Sequence, residues 1–211
     1  MKKIGLFFLI VVLCFSIASP TQAAGSPLKY GSKSGDVWDL QYRLKILGYY
    51  EKTVDGRFGP YTDAAVRRFQ RDYGLTPDGV VGPKTWKALK RVSANAKELD
   101  MLAHIVYGEA RGEPYVGKVA VAAVVMNRLK SPQFPDTIAG VIFQPRAFTA
   151  VDDGQYWLTP DASAYAAARD AVRGWDPTGG ALYYFNPKTA TSSWIWSRPQ
   201  SAKIGNHIFA T

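Results

Sequence analysis

The chain has 211 residues, 47% of them apolar, and carries 26 lysines and arginines against 17 acidic residues for a formal net charge of +9. That composition supplies a real core and excludes a disordered tail. The single cysteine, Cys14, lies at the start of the chain, so the remainder offers no disulfide, no thiol nucleophile and no cysteine-based zinc cage.

Residues 1–23 read as an export signal: Lys2 and Lys3, an apolar run from Ile4 to Ile17, then Ser19, Pro20 and Ala23 before the expected cleavage point. The run is shorter than the roughly 20 residues a helix needs to cross a bilayer. Leu13 is too large for the small residue expected before a lipidated cysteine. The mature protein is therefore expected to be exported, soluble and without a stable membrane anchor. Past this segment the charge is uneven: residues 25–97 carry 14 basic and 7 acidic side chains, whereas residues 98–211 carry 10 of each. Two modules are implied, one over 30–91 and one over 98–211, joined by a short linker over 92–97 rich in Ser, Asn, Ala and Lys.

In the first module, Val37, Leu40, Leu44 and Leu47 form a helical stripe ended by Gly48. Val66, Phe69 and Tyr73 form a second ended by Gly74, and Trp86 with Leu89 begins a third. The pattern Asp-Gly-x-x-Gly-Pro-x-Thr occurs twice, as Asp55, Gly56, Gly59, Pro60 and Thr62 and, 23 residues on, as Asp78, Gly79, Gly82, Pro83 and Thr85. Asp-Gly favours a tight turn, and threonine can cap the helix that follows. With Ser34-Gly35-Asp36-Val37 leading into Leu40-Gln41, this arrangement resembles the peptidoglycan-binding type 1 domain over residues 31–90, a small all-α three-helix fold. A basic surface on an exported protein suits anionic wall polymers, and export removes the usual contact with nucleic acid.

The second module opens with a helix from Glu98 to Arg111 whose apolar residues are Leu99, Leu102, Ile105 and Val106. Glu109 lies four residues after Ile105 and seven after Leu102, so its carboxylate projects from the apolar side. An apolar wall and the negative end of the helix both disfavour a charge there, as suits a general acid. Glu113, before Pro114 and a second buried helix, reads as a structural carboxylate at that helix's N-terminus. Beyond it come loops and strands over 148–155 and 181–187 and a helix over Ala162 to Val172. Trp157, Trp194 and Trp196 accompany Thr149, Gln155 and Asn186, flat apolar faces mixed with amide and hydroxyl groups, which suits a sugar chain.

Tyr107-Gly108-Glu109-Ala110-Arg111-Gly112-Glu113, Phe148-Thr149-Ala150-Val151-Asp152-Asp153-Gly154, Tyr184-Phe185-Asn186-Pro187 and Ile204-Gly205-Asn206-His207 together resemble the catalytic domain of SleB-type spore cortex-lytic enzymes. The resemblance implies an α+β lysozyme-like fold, action on spore-cortex peptidoglycan containing muramic δ-lactam during germination, and Glu109 as catalytic residue. It draws Phe148, Thr149, Asp153, Gln155, Tyr184, Asn186, Trp194 and His207 into the candidate substrate site, with no cofactor and no metal. It leaves open an inhibitory or regulatory protein partner. The connector is shorter than the family pattern.

A hydrolytic glycosidase needs two carboxylates. Asp152, Asp153 and Glu113 are the candidates for a second, although Asp-Asp-Gly reads first as a turn. A single carboxyl suffices for lytic transglycosylation, in which the sugar's own C6 hydroxyl attacks C1 and a 1,6-anhydro end forms. Residue types alone leave hydrolysis and transglycosylation both open. Two rivals stand beside them: a zinc amidase drawing on His104 and His207, which lack any HExxH-like spacing, and a non-enzymatic wall-binding protein.

Overall fold

The computed structural model describes residues 26–211, so the expected export signal, Cys14 included, lies outside the described residues. The first module is the expected three-helix unit: α1 (Gly35–Ile46), α2 (Pro60–Asp72) and α3 (Pro83–Val92). They close on one core that includes Val37, Leu40, Leu44, Phe58, Val66, Phe69 and Leu89. Ser34 caps α1 by accepting the Val37 amide. The threonines of the repeat behave differently from the expectation. Gly59 and Gly82 occupy the cap positions, proline opens each helix, and Thr62 and Thr85 turn inward to a buried glutamine.

That glutamine explains the repeat. The Gln41 amide nitrogen reaches Asp55 Oδ1, the Arg57 carbonyl and Thr62 Oγ1 at 2.9–3.0 Å, while its oxygen accepts the Asp55 and Gly56 amides. Gln70 does the same in the second copy, reaching Asp78 Oδ1, the Val80 carbonyl and Thr85 Oγ1 and accepting the Gly79 amide. Each Asp-Gly turn thus wraps a glutamine supplied by the preceding helix. Gly56 and Gly79 hold φ of +71° and +72°, and a Cβ on Gly79 would stand 2.3 Å from Asp63 Oδ1. Gln41→Ala empties a buried site and leaves the part-buried Asp55 and Gly56 amides without their acceptor, at about 1–3 kcal/mol. A Tm drop of several degrees is expected by calorimetry, and an unchanged Tm would remove the glutamine from this organising role.

The segment expected as a linker is a packed junction. Ser93 and Ala94 are fully buried, and Asn95 caps α4 (Ala96–Ala110) in a reciprocal box with Glu98, so that helix starts two residues before the expected Glu98. Arg43 of α1, only 1% exposed, ion-pairs Asp39 at 3.0 Å and Glu98 at 2.8 Å and donates to Ser93. Ile46 and Ala94 share a hydrophobic cluster with Leu99 and Leu102. The two modules are therefore docked through the ion pair of a buried arginine with a part-buried glutamate and through apolar contact.

The second module is α+β, as expected. At its centre runs α5 (Tyr115–Lys130), buried at every residue from Val119 to Met126, the mark of a helix enclosed on all sides. Short side chains, Ala122 and Ala123 facing Ala164, Ala167 and Ala171 of α8 (Ala162–Val172), bring the two helices close. Smaller helices follow α5, namely α6 (Ile138–Ile142) and α7 (Thr149–Asp152), the latter leading to a 3₁₀ turn over Gln155–Trp157 where strand or loop was expected. After α8 come β1 (Tyr183–Phe185), α9 (Ser193–Trp196), β2 (Gln200–Ile204) and β3 (His207–Ala210), the strands forming an antiparallel sheet in the order β1-β3-β2. Tyr184 pairs with Phe209 in that sheet, and Phe209 packs on Ala120 and Val124 of α5. Among the described residues no helix is long and apolar enough to cross a membrane.

Candidate active site

Glu109 sits in the last turn of α4, where three segments meet. One carboxylate oxygen accepts the backbone amide of Ala150 at 2.6 Å, and the other accepts the hydroxyl of Tyr184 at 2.9 Å. Where helical register led to the expectation of an apolar wall, the carboxylate oxygens instead meet two polar donors, from 41 and 75 residues away, which fix the plane of the carboxylate. The close approach depends on Gly108: a Cβ there would stand 2.7 Å from that of Ala150. Glycine before the glutamate lets α7 lie against α4 and aim its amide at the acid. Burial, and then the facing Glu109 carboxylate, push the Tyr184 phenol well above its ordinary value, so it serves as a donor.

Behind this pair lies Arg128, 6% exposed, its guanidinium 4.9 Å from the Phe148 ring centre and its Nε donating to the Leu182 carbonyl. Burial pulls its pKa down, opposed by Tyr184, Tyr183 and Glu109. His207 meets the Tyr184 ring edge-on at 5.2 Å and lies 3.8 Å from Glu113. Glu113 clasps the β2–β3 turn, accepting the Asn206 amide and side chain at 2.9 Å. Gly205, at φ +58°, passes so close that a Cβ would strike the Glu113 carboxylate at 1.9 Å. Burial pushes the Glu113 carboxyl up, but the two Asn206 donors and His207 outweigh it and hold it below the ordinary value. It is an ionised strut, in line with the structural reading from sequence.

In front of Glu109 an open groove of about 420 Å³ is lined by Gly108, Glu109, Arg111, Thr149, Ala150 and Gln155, together with Gly112. Of the expected site residues, Thr149 and Gln155 share this groove with Glu109, and Tyr184 and His207 stand behind it. Asp153 is spent on its own turn, accepting the Gln155 amide at 3.0 Å and its side chain at 2.5 Å, and these bonds hold its carboxyl below the ordinary value. Phe148, expected against substrate, is 3% exposed and packs under Arg128 and Tyr184. Asn186 forms the turn after β1, its side chain accepting the Lys188 amide.

Trp194 is half-exposed but packs on Tyr183, whose side chain alternates to the face of β1 opposite Tyr184. The structure therefore sets it on the other side of the strand from Glu109. Trp157, 71% exposed and stacked on Phe143, lies two residues after Gln155 in the same 3₁₀ turn but is not among the residues lining the groove. His104 engages the Tyr156 carbonyl at 2.7 Å, so the two histidines have different partners. Among the described residues no three His, Cys, Asp or Glu side chains converge as a metal would require.

Sequence reading missed Gly108, the Ala150 amide and Arg128. Gly108 was visible as a glycine inside a helical pattern, which signals close backbone approach. The backbone amide and the buried arginine left no sequence signal.

A family model described as cell wall hydrolase matches residues 112–210, and one described as a peptidoglycan binding domain matches residues 33–89. A spore cortex-lytic enzyme of Bacillus cereus is 46% identical over 220 aligned residues, covering 86% of this chain and 85% of that protein. One from Oceanobacillus iheyensis is 41% identical, covering 96% and 97%. Among solved structures, the catalytic domain of the germination-specific lytic transglycosylase SleB from Bacillus anthracis aligns with a TM-score of 0.54 at 63% identity, over 56% of this chain and 97% of that one.

Proposed function

This chain belongs to the family of spore cortex-lytic enzymes, and from that premise we propose that it cleaves the glycan strands of cortex peptidoglycan during germination by lytic transglycosylation, with Glu109 as acid and then base. The observation that carries the reading is that, among the described residues, Glu109 is the one carboxylate lining its groove. A two-carboxylate hydrolase needs a partner acid about 5–9.5 Å away. Of the three candidate second acids, Asp153 is engaged in its turn and Glu113 with Asn206, while Asp152, exposed at the end of α7, is not among the residues lining the groove.

The chemistry balances with one group. Protonated Glu109 gives its proton to the glycosidic oxygen as the bond from C1 breaks. The resulting carboxylate takes the proton of the C6 hydroxyl, whose oxygen closes on C1 to leave a 1,6-anhydromuramic end. The acid is thereby regenerated without water. The Ala150 amide and Tyr184 hydroxyl hold the carboxylate in one orientation through both transfers, and Thr149 and Gln155 offer polar contacts to the muramic sugar. Residues 1–23 direct the chain out of the cytoplasm, and the peptidoglycan-binding module holds it on the wall, where the δ-lactam-containing cortex is the substrate.

The test is mass spectrometry of muropeptides released from cortex by wild type and by Glu109→Gln. Anhydro ends that vanish in the variant support the reading; reducing ends assign hydrolysis, and free peptides assign an amidase. A smaller effect is expected at Tyr184. Tyr184→Phe removes a hydrogen bond to a charged group worth about 1.5–3 kcal/mol, which corresponds to a roughly 10- to 100-fold fall in kcat. Steady-state kinetics on purified cortex fragments measure it, and unchanged kcat removes Tyr184 from the machinery.

A further inference from the structure

A second groove, about 660 Å³ in volume, opens where the two modules meet. One wall is α3, presenting Trp86, Lys87, Lys90 and Arg91; the other belongs to the segment after α5 and includes Phe134 and Asp136. Three cations thus face a single acid. The walls are held in place: the Arg91 guanidinium donates to the Lys130 carbonyl at the end of α5, and the Arg43–Glu98 pair ties α1 to the start of α4. Trp86 is half-buried, with the Lys90 ammonium 5.3 Å from its ring centre, while Lys87 and Lys90 are exposed. A flat aromatic beside exposed ammonium groups suits an anion carried on an organic scaffold.

Position narrows the occupant. The two grooves share no lining residue, and Arg128 stands between them, its guanidinium behind the Glu109–Tyr184 pair and 5.1 Å from the Phe134 ring centre. A polymer, unlike a single small ligand, can occupy both grooves at once. In peptidoglycan the glycan backbone is uncharged where the muramic carboxyl is in amide or lactam linkage, and the free carboxylates belong to the stem peptides. We infer that this junctional groove is an anion subsite for the stem-peptide carboxylates of the strand being cut, seating a peptide-bearing muramic residue outside the Glu109 groove. The inference rests on the reading of Glu109 as the cleaving acid. It assigns the docked arrangement of the modules a task, because the groove exists only while α3 lies against the end of α5.

The test uses the full chain and the double charge reversal Lys87→Glu/Lys90→Glu, which alters two exposed side chains outside the core. Substrates are glycan strands bearing their peptides and the same strands stripped of peptide. The expected result is that the wild-type preference for peptide-bearing strands, as a ratio of kcat/KM values, falls about tenfold or more in the double variant, with a shallower dependence on salt. An unchanged preference, or an equal loss on both strand types, overturns the subsite. A second arm needs no cleavage: a soluble disaccharide-tetrapeptide is titrated into full-length Glu109→Gln, and the Trp86 indole N–H is followed by NMR. It should shift with peptide present, fail to shift with the peptide-free disaccharide, and fail again once the two lysines are reversed. If wild type releases no glycan product, the reading of Glu109 fails, while this titration still decides whether the groove binds the peptide.

Discussion

Glu109→Gln is expected to lower kcat on cortex peptidoglycan by about 10³-fold or more while leaving the fold intact. General acid and general base contributions are each worth about 10²–10⁴, and here one side chain supplies both. The amide can neither give up a proton to the glycosidic oxygen nor take one from the C6 hydroxyl. Its oxygen can still accept the Ala150 amide, and its NH₂ can donate to the Tyr184 hydroxyl, which accepts as readily as it donates. The hydrogen-bond frame therefore survives and Tm should stay within about 2 °C, since the change corresponds to well under 1 kcal/mol. Residual activity of a tenth or more, with anhydro ends still formed, would move the acid to another residue.

The largest expected stability effect lies away from the site, at the junction. Glu98→Ala leaves Arg43, buried at the module interface, without its 2.8 Å partner, and also deletes half of the capping box at the start of α4. Removing one member of a buried pair costs about 3–5 kcal/mol, and Asp39, which stays in place, brings the expectation to the low end. A loss of about 3 kcal/mol lowers Tm by roughly 6–12 °C for a chain of this size. Glu98→Gln separates the two contributions, because glutamine retains the cap but not the charge. Its loss should fall between wild type and alanine, as measured by differential scanning calorimetry. Equal Tm values for all three proteins would show that the ion pair does not hold the modules together. Arg43→Met tests the same contact from the other side, since an apolar residue filling that volume is expected to cost less than the orphaned charge.

The extent to which the molecule was legible in its sequence follows the range of the forces involved. The three helices of the first module were read from apolar spacing, the first two with their closing glycines, and α8 was read at its full length. The inward position of Glu109 followed from register with Leu102 and Ile105. The role of the repeated threonines was misread because an N-cap and a bond to a distant glutamine use the same hydroxyl, and only the fold chooses between them. Gln41 lies 14 residues from Asp55, beyond any helical or turn periodicity. Trp194 was grouped with the site on composition. Strand alternation sends Tyr183 and Tyr184 to opposite faces, but which face meets Glu109 depends on how β1 lies against α5 through β3.

Sequence alone determined the two modules, the paired Asp-Gly turns, the helix that carries Glu109 inward and the family resemblance, because each is written in contacts within a few residues or in a contiguous motif. Tertiary structure alone decided that the Ala150 amide and the Tyr184 hydroxyl close on one carboxylate, that Glu113 is occupied by the Asn206 turn, and that the segment 92–97 is buried beside Arg43. Those outcomes depend on segments tens of residues apart meeting within hydrogen-bond distance, and only the packing of the whole chain determines such a meeting.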